Sequence, residues 1–265
     1  MTAAEPFFVA EGAHRFMPND VCRGPWDRNS LHGRVVAGLL AHEVETTWGD
    51  PAFHCARLTV DLYRVLPFAA VDVSSKVVRD GNRIRVVDAE FSSNGVSVAR
   101  ASAVLLRKAE NPAGTVWSPP PWDAPSPHSL SSPPNRAAGA NAPAREPMWE
   151  TRVIDNGFGS TAQKRAWLRE TRALIDGVEL TPLVRVAFAS DFTNPFANSG
   201  SEGLQFVNAD ITLYIHRLPS TEWLGFEVVE HHSEDGIAVG ECVIHDERGA
   251  IGRSLVCALA NRHNR

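Results

Sequence analysis

Two distant stretches of the chain share one pattern of apolar and polar positions. Leu58 to Pro67 reads LTVDLYRVLP and Ala209 to Pro219 reads ADITLYIHRLP. Their alternation and branched or aromatic residues predict a strand in each. The segments beyond the two prolines are also alike. After Pro67 come VDVSSKVV, an Asp80-Gly81 turn, RIRVVDAEF, an Asn94-Gly95 turn and VSVARASAVLL. After Pro219 come WLGFEVVE, an Asp235-Gly236 turn, IAVGECVIH, an Arg248-Gly249 turn and AIGRSLVCALA. Turn pairs of this kind between alternating runs predict hairpins, so each half should carry an antiparallel sheet. Agreement in the order and spacing of turns marks the halves as structural repeats.

One helical segment precedes each sheet region. In SLHGRVVAGLLAHEVETTW, Leu31, Val35, Val36, Leu39, Leu40, Val44 and Trp48 are joined by Ala37, Gly38 and Ala41. So few polar positions call for a helix wrapped on most sides. In TPLVRVAFAS, Thr181 is placed as N-cap and Pro182 as the first helical residue. A long helix cradled by a curved antiparallel sheet, twice in one chain, predicts an α+β fold of the double hotdog type. Between the repeats, residues 111–147 are rich in Pro, Ser, Ala and Gly and show neither sheet nor helix period. The expected division is a hotdog domain at 1–110, a linker at 111–147 and a second hotdog domain at 148–265. Trp117 and Trp122 are expected to pin parts of the linker to a folded surface.

Composition narrows the class of partner. The chain has 265 residues, 43% of them hydrophobic, and a net charge of −5. Acids and bases are interspersed, which points away from nucleic acid and from a polybasic membrane contact. The first ten residues lack the features of a signal peptide and the apolar runs are strand-sized, so no membrane span and a cytoplasmic location are expected. Cys22, Cys55, Cys242 and Cys257 show no metal spacing and are expected to be reduced; no metal and no cofactor are assigned. Exposed sheet edges predict a homodimer.

Four segments carry a family resemblance: NSLHGRVVAGLLAHEVE, RVAFASDFTNPF, ADITLYIHRLPSTEWLGFEV and DERGAIGRSLV. In combination they resemble the acyl-CoA thioesterase II family over most of the chain outside the linker. The resemblance implies hydrolysis of an acyl-CoA thioester to a free acid and CoA. It further implies that Asp191 holds the attacking water, and that Asn208 and Cys257 stand where the family carries a threonine and a glutamine.

The residues themselves admit more than one reading. Thioester hydrolysis needs a base or anchor for water and donors for the oxyanion. Asp191 follows an apolar helix and suits the first role, although an Asp ahead of Asn-Pro also fits an Asx turn. Asn208 can orient water through its amide. Cys257 offers only a weak hydrogen bond and also fits a small buried hydrophobe. Gly33 presents a backbone N–H at a helix N-terminus, where donors lack helical partners, and close packing would equally require glycine. His32 is read as a residue that positions and binds the substrate rather than as a base. Arg34, with Arg217 and Arg253, is a candidate for CoA phosphates, and Asn194 is assigned to substrate binding. His231 and His232 are expected to face solvent. Two alternatives stand beside hydrolysis. One is a non-catalytic acyl-binding protein on the same fold. The other is an enoyl-CoA hydratase-like enzyme, since DFTNPFAN approaches the hydratase loop but puts Ala197 or Asn198 where a histidine is needed.

Overall fold

A computed structural model describes residues 4–131 and 149–261. The first half contains β1 (Phe8–Ala10), β2 (Arg15–Pro18), α1 (Gly33–Trp48), β3 (Phe53–Asp61), β4 (Val71–Asp80), β5 (Ile84–Ser93) and β6 (Val96–Arg107). The second contains β7 (Trp149–Asp155), β8 (Arg165–Glu170), α2 (Pro182–Ser190), α3 (Thr193–Ala197), β9 (Ser199–Gly200) and β10 (Gly203–Leu204). It continues with β11 (Phe206–Asn208), β12 (Asp210–Ile215), β13 (Trp223–Glu234), β14 (Ile237–Asp246) and β15 (Gly249–Ala260).

The two repeated strands are neighbours. β3 and β12 pair antiparallel with Leu58 opposite Leu213 and Asp61 opposite Asp210. They join the halves into one 13-stranded sheet, ordered β1-β2-β4-β5-β6-β3-β12-β15-β14-β13-β8-β7, with β11 also on β15. Outward from the β3·β12 pair, the two halves repeat one another strand for strand. Asn94 and Gly95 both have positive φ (51° and 73°), as do Asp235 and Gly236 (51° and 78°). Only residues tolerant of that region close such two-residue hairpins.

The helices line the inner face. Val35, Val36, Leu39, Leu40 and Val44 of α1 are buried, each side chain contributing about 1.5–3 kcal/mol relative to exposure. Gly38 lets a second layer approach, because a Cβ there would meet Leu174 at 2.9 Å and Phe188 of α2 at 3.2 Å. The N-terminal segment ties the halves together further: Phe7 N–H donates to Ala173 O and Phe8 N–H to Leu174 O, and both rings are fully buried.

The second helix is shorter than the long helix expected of each repeat. α2 spans the predicted segment, with the Thr181 hydroxyl accepting from Val184 N–H at 3.2 Å, and is nine residues long. Pro195 has no N–H to give the carbonyl four residues earlier, that of Asp191, so the helical ladder is interrupted there. The chain turns and restarts as the short α3. Among the described residues, a long helix therefore occurs in the first repeat alone. No helix among the described residues is long and apolar enough to cross a membrane.

Trp122 pins the described part of the linker, while Trp117, 84% exposed, does not. The Trp122 ring stacks on His245 with centroids 3.9 Å apart and lies 5.0 Å from Trp167. Gly225 makes room for it, since a Cβ there would come within 2.4 Å of the indole. Residues 132–147 of the expected linker lie outside the described residues. Trp122→Ala should lower stability by about 2 kcal/mol, toward the lower side of aromatic truncations because the ring is half-buried. It should also open the segment around residue 122 to limited proteolysis; unchanged melting and cleavage would show that the contact is unimportant.

Candidate active site

The break after α2 places Asp191 at the N-terminus of α1, from the opposite repeat. The side chain is buried, 4% exposed. Asn208 Nδ2, at the end of β11, donates to Asp191 Oδ1 at 3.0 Å. His32, the N-cap of α1, brings Nδ1 to 3.1 Å from Asp191 Oδ2. The same nitrogen lies 3.4 Å from the backbone N–H of Arg34, but it cannot accept there while donating to a carboxylate. The shorter contact to the charged partner decides for Nδ1–H facing Asp191. A Cβ on Gly33 would stand 3.1 and 3.3 Å from the two Asp191 oxygens, so glycine is what lets the helix end abut the carboxylate.

Burial is the largest single influence on Asp191 and disfavours its charge. Against it act the hydrogen bond and charge of His32, the Asn208 amide and the positive charge of Arg34, which together hold the carboxyl below its ordinary 3.8. The partial positive charge of the α1 N-terminus acts in the same direction. The outcome is an ionised carboxylate in a largely dry setting, beside a Gly33 N–H that has no acceptor among the described residues.

The other end of the helix pair repeats this geometry with different chemistry. There the N-cap of α2, Thr181, donates its hydroxyl to Glu45 near the end of α1. Burial raises the Glu45 carboxyl, and the Thr181 bond only partly opposes this. The two poles correspond as N-cap to acid, but only the Asp191 pole joins a glycine and an amide to a carboxylate held in its charged form.

Several predicted site residues sit elsewhere. Arg34 is fully buried and ion-paired with Glu170. Its guanidinium lies between Trp149 (4.1 Å) and Phe188 (4.0 Å), so it cannot meet CoA phosphates. Asn194 is buried with its amide committed to Phe206 O at 3.1 Å and to Asn198 at 2.9 Å, which makes it a brace for α3. Cys257 lies on the outward face of β15 with exposed Arg253, while Ser254, Val256 and Ala258 point inward; it is neither a buried hydrophobe nor turned toward Asp191. Arg217 grips Asp246 through two 2.7 Å bonds, and Arg253 pairs with Glu241. His231 and His232 are both exposed, as expected, and His231 Nδ1 also meets Asn198 Oδ1 at 2.7 Å.

Gly33→Ala should leave the fold intact, yet a methyl 3.1 Å from Oδ1 must displace the carboxylate or the helix end. A loss of about 10- to 100-fold in kcat/KM is expected, in line with small displacements of reacting groups. Full activity in this variant would disconnect Gly33 from the site.

Comparisons with known proteins identify the family and the fold. Residues 22–106 match the model of the acyl-CoA thioesterase N-terminal domain, and residues 119–255 that of the acyl-CoA thioesterase C-terminal domain. Among solved structures, a putative thioesterase from Novosphingobium aromaticivorans superposes with TM-score 0.72 at 18% identity, covering 98% of this chain and 100% of that one. The tesB protein of Mycobacterium avium subspecies paratuberculosis gives 0.68 at 17%, covering 96% and 95%. A conserved protein with hot dog fold from Alicyclobacillus acidocaldarius gives 0.73 at 15%, covering 97% and 96%. These likenesses establish the hotdog fold of the chain. No curated protein sequence matches it.

Proposed function

The chain belongs to the acyl-CoA thioesterase family and is a thioester hydrolase, and from that premise we propose that it hydrolyses acyl-CoA at the Asp191 pole. The observation that carries the proposal is the buried, ionised carboxylate shared by Asn208 and His32 against the N-terminus of the other repeat's helix. Asp191 and the free amide oxygen of Asn208 hold a water. Asp191 takes a proton from it as its oxygen attacks the thioester carbonyl. The oxyanion that forms faces the Gly33 N–H at the helix end. When the carbon–sulfur bond breaks, the carbonyl is restored and the CoA sulfur leaves with the proton returned from Asp191. His32 keeps the carboxylate oriented and charged.

A non-catalytic acyl-binding role is favoured by one observation. The inward positions of β15 beyond Ser254 are Val256 and Ala258, so that strand adds no polar side chain to hold water. Release of free CoA from short, medium and long acyl-CoAs separates the two. Turnover on any of them supports hydrolysis; tight binding with no release on all of them supports the binding protein. We further propose a homodimer, because the outer side of β7 pairs with no strand among the described residues. Solution scattering should give a mass of two chains, and a monomer at micromolar concentration would refute it.

A further inference from the structure

Next to the Asp191 pole lies a concavity of about 580 Å³ bounded by the loop ahead of β8, the β9–β10 hairpin, β11 and the outer part of β13. It is linked to that pole through β11 and α3. Phe206 lines it, and Asn208, which bonds Asp191, is two positions further along the same strand. Alternate residues of a strand point to one side and lie about 7 Å apart. Asn194 also ties α3 to Phe206, and Asn198 at the end of α3 lines the concavity.

Its chemistry is set by Lys164, which points to the same inner face as Ala166 and Leu168 of β8 and is only 4% exposed. Nζ donates to Ser199 O at 2.5 Å and reaches Ser199 Oγ at 3.4 Å. Among the described residues no carboxylate lies within ion-pair distance of it. A buried ammonium with no counter-charge is costly, and burial does lower the Lys164 pKa. His231 faces the same space. Asn198 Nδ2 donates to Asn194, so Asn198 Oδ1 must accept from His231 Nδ1–H, which leaves Nε2 unengaged. The two rim acids do not neutralise the lysine: Glu230 is 3.2 Å from His232, and Glu202 is exposed.

We propose that this concavity is a substrate subsite for an anionic oxygen group, a phosphate or a carboxylate, which pairs with Lys164 and reaches His231 Nε2. The proposal rests on the thioesterase reading of the Asp191 pole and adds a recognition element to it. The charge can come from either end of the substrate: the phosphates of CoA, or a carboxylate at the far end of the acyl group.

The test is a pair of substrate ratios in wild type, Lys164→Gln and His231→Gln. If the phosphates bind here, the ratio of kcat/KM for acyl-CoA over the phosphate-free acyl-pantetheine falls at least tenfold in Lys164→Gln and several-fold in His231→Gln. If a carboxylate binds here, the ratio for ω-carboxyacyl-CoA over the plain acyl-CoA of equal length falls instead. Lys164→Arg should restore part of either ratio. Both ratios unchanged in both Gln variants would overturn the proposal, and His231→Gln serves alone should Lys164→Gln not fold. A readout without turnover keeps the subsite distinct from the catalytic reading. Calorimetry of free CoA and of a medium-chain dicarboxylate should show weaker binding of one of them in the variants, even in an Asp191→Asn background. Equal binding of both in all variants would overturn the subsite while leaving hydrolysis untouched.

Discussion

Asp191→Asn should reduce kcat on acyl-CoA by roughly 10²- to 10⁴-fold, the range for removing a positioned base, with KM little changed. The variant keeps the size of the side chain but turns one acceptor into a donor; an amide flip lets Asn208 accept from it while His32 still donates to the remaining oxygen, so the fold should hold. What it removes is the charge that, in the proposed mechanism, accepts the proton of water. The pH dependence of the wild type reports on the same charge. Asp191 is held below its ordinary 3.8 by His32, Asn208 and Arg34 despite burial, so the working carboxylate form persists through mildly acidic pH. The acid limb of kcat/KM attributable to it should therefore begin below that ordinary value. For stability the sign is the same: a depressed folded pKa contributes above the unfolded value, and the contribution is lost as pH falls through the folded one. A variant within threefold of wild type would remove Asp191 from the mechanism.

Glu170→Ala should lower stability by about 3–5 kcal/mol, the penalty for leaving half of a buried ion pair behind. Arg34 is fully buried, and its Nε and Nη1 already lack hydrogen-bond partners, as does Glu170 Oε1. Its compensation is the Glu170 carboxylate together with the flanking faces of Trp149 and Phe188. Burial pushes the Glu170 carboxyl up and Arg34 pulls it back; a guanidinium keeps its charge throughout, so the pair is ionic. Without the acid, a lone cation remains in the core beside the helix end that faces Asp191. The melting temperature should fall by roughly 10 °C, given about 2–4 °C per kcal/mol at this size. Replacing both partners with apolar residues, Arg34→Met with Glu170→Leu, should recover most of the loss. A single variant as stable as wild type would show that the pair is not the anchor of this helix end.

The parts of the fold visible in the sequence are those with local causes. Asn94-Gly95 and Asp235-Gly236 announce their hairpins because their backbone conformation needs those residues, and Thr181-Pro182 announces a helix start for a similar reason. The flanking strands β1, β2, β7 and β8 are not legible in this way. β1 and β2 are only three and four residues long, and their stability comes from pairing with distant partners rather than from a local pattern. The interruption of the second helix is readable in principle, since Pro195 removes a donor four residues after Asp191. So is the orientation of Cys257: it shares parity with Arg253, and an arginine on that face argues for the outside. Arg34 misleads because an arginine next to a helix N-terminus suits a phosphate as well as it suits a buried partner 136 residues away. Lys164 and His231 have no sequence signal at all, because what distinguishes them is the absence of an acid near one and the presence of Asn198 near the other.

The convergence of Asp191, Asn208 and Gly33 carries the functional claim, which is that water activated at Asp191 attacks the thioester directly. A single turnover of acyl-CoA in water labelled with heavy oxygen, with mass analysis of both the released acid and the peptide containing Asp191, tests this most directly. The expected result is free CoA, one labelled oxygen in the acid and an unlabelled Asp191. Label in Asp191 with unlabelled acid would make the carboxylate a nucleophile instead of a base, and the absence of any released acid would contradict the hydrolytic site itself.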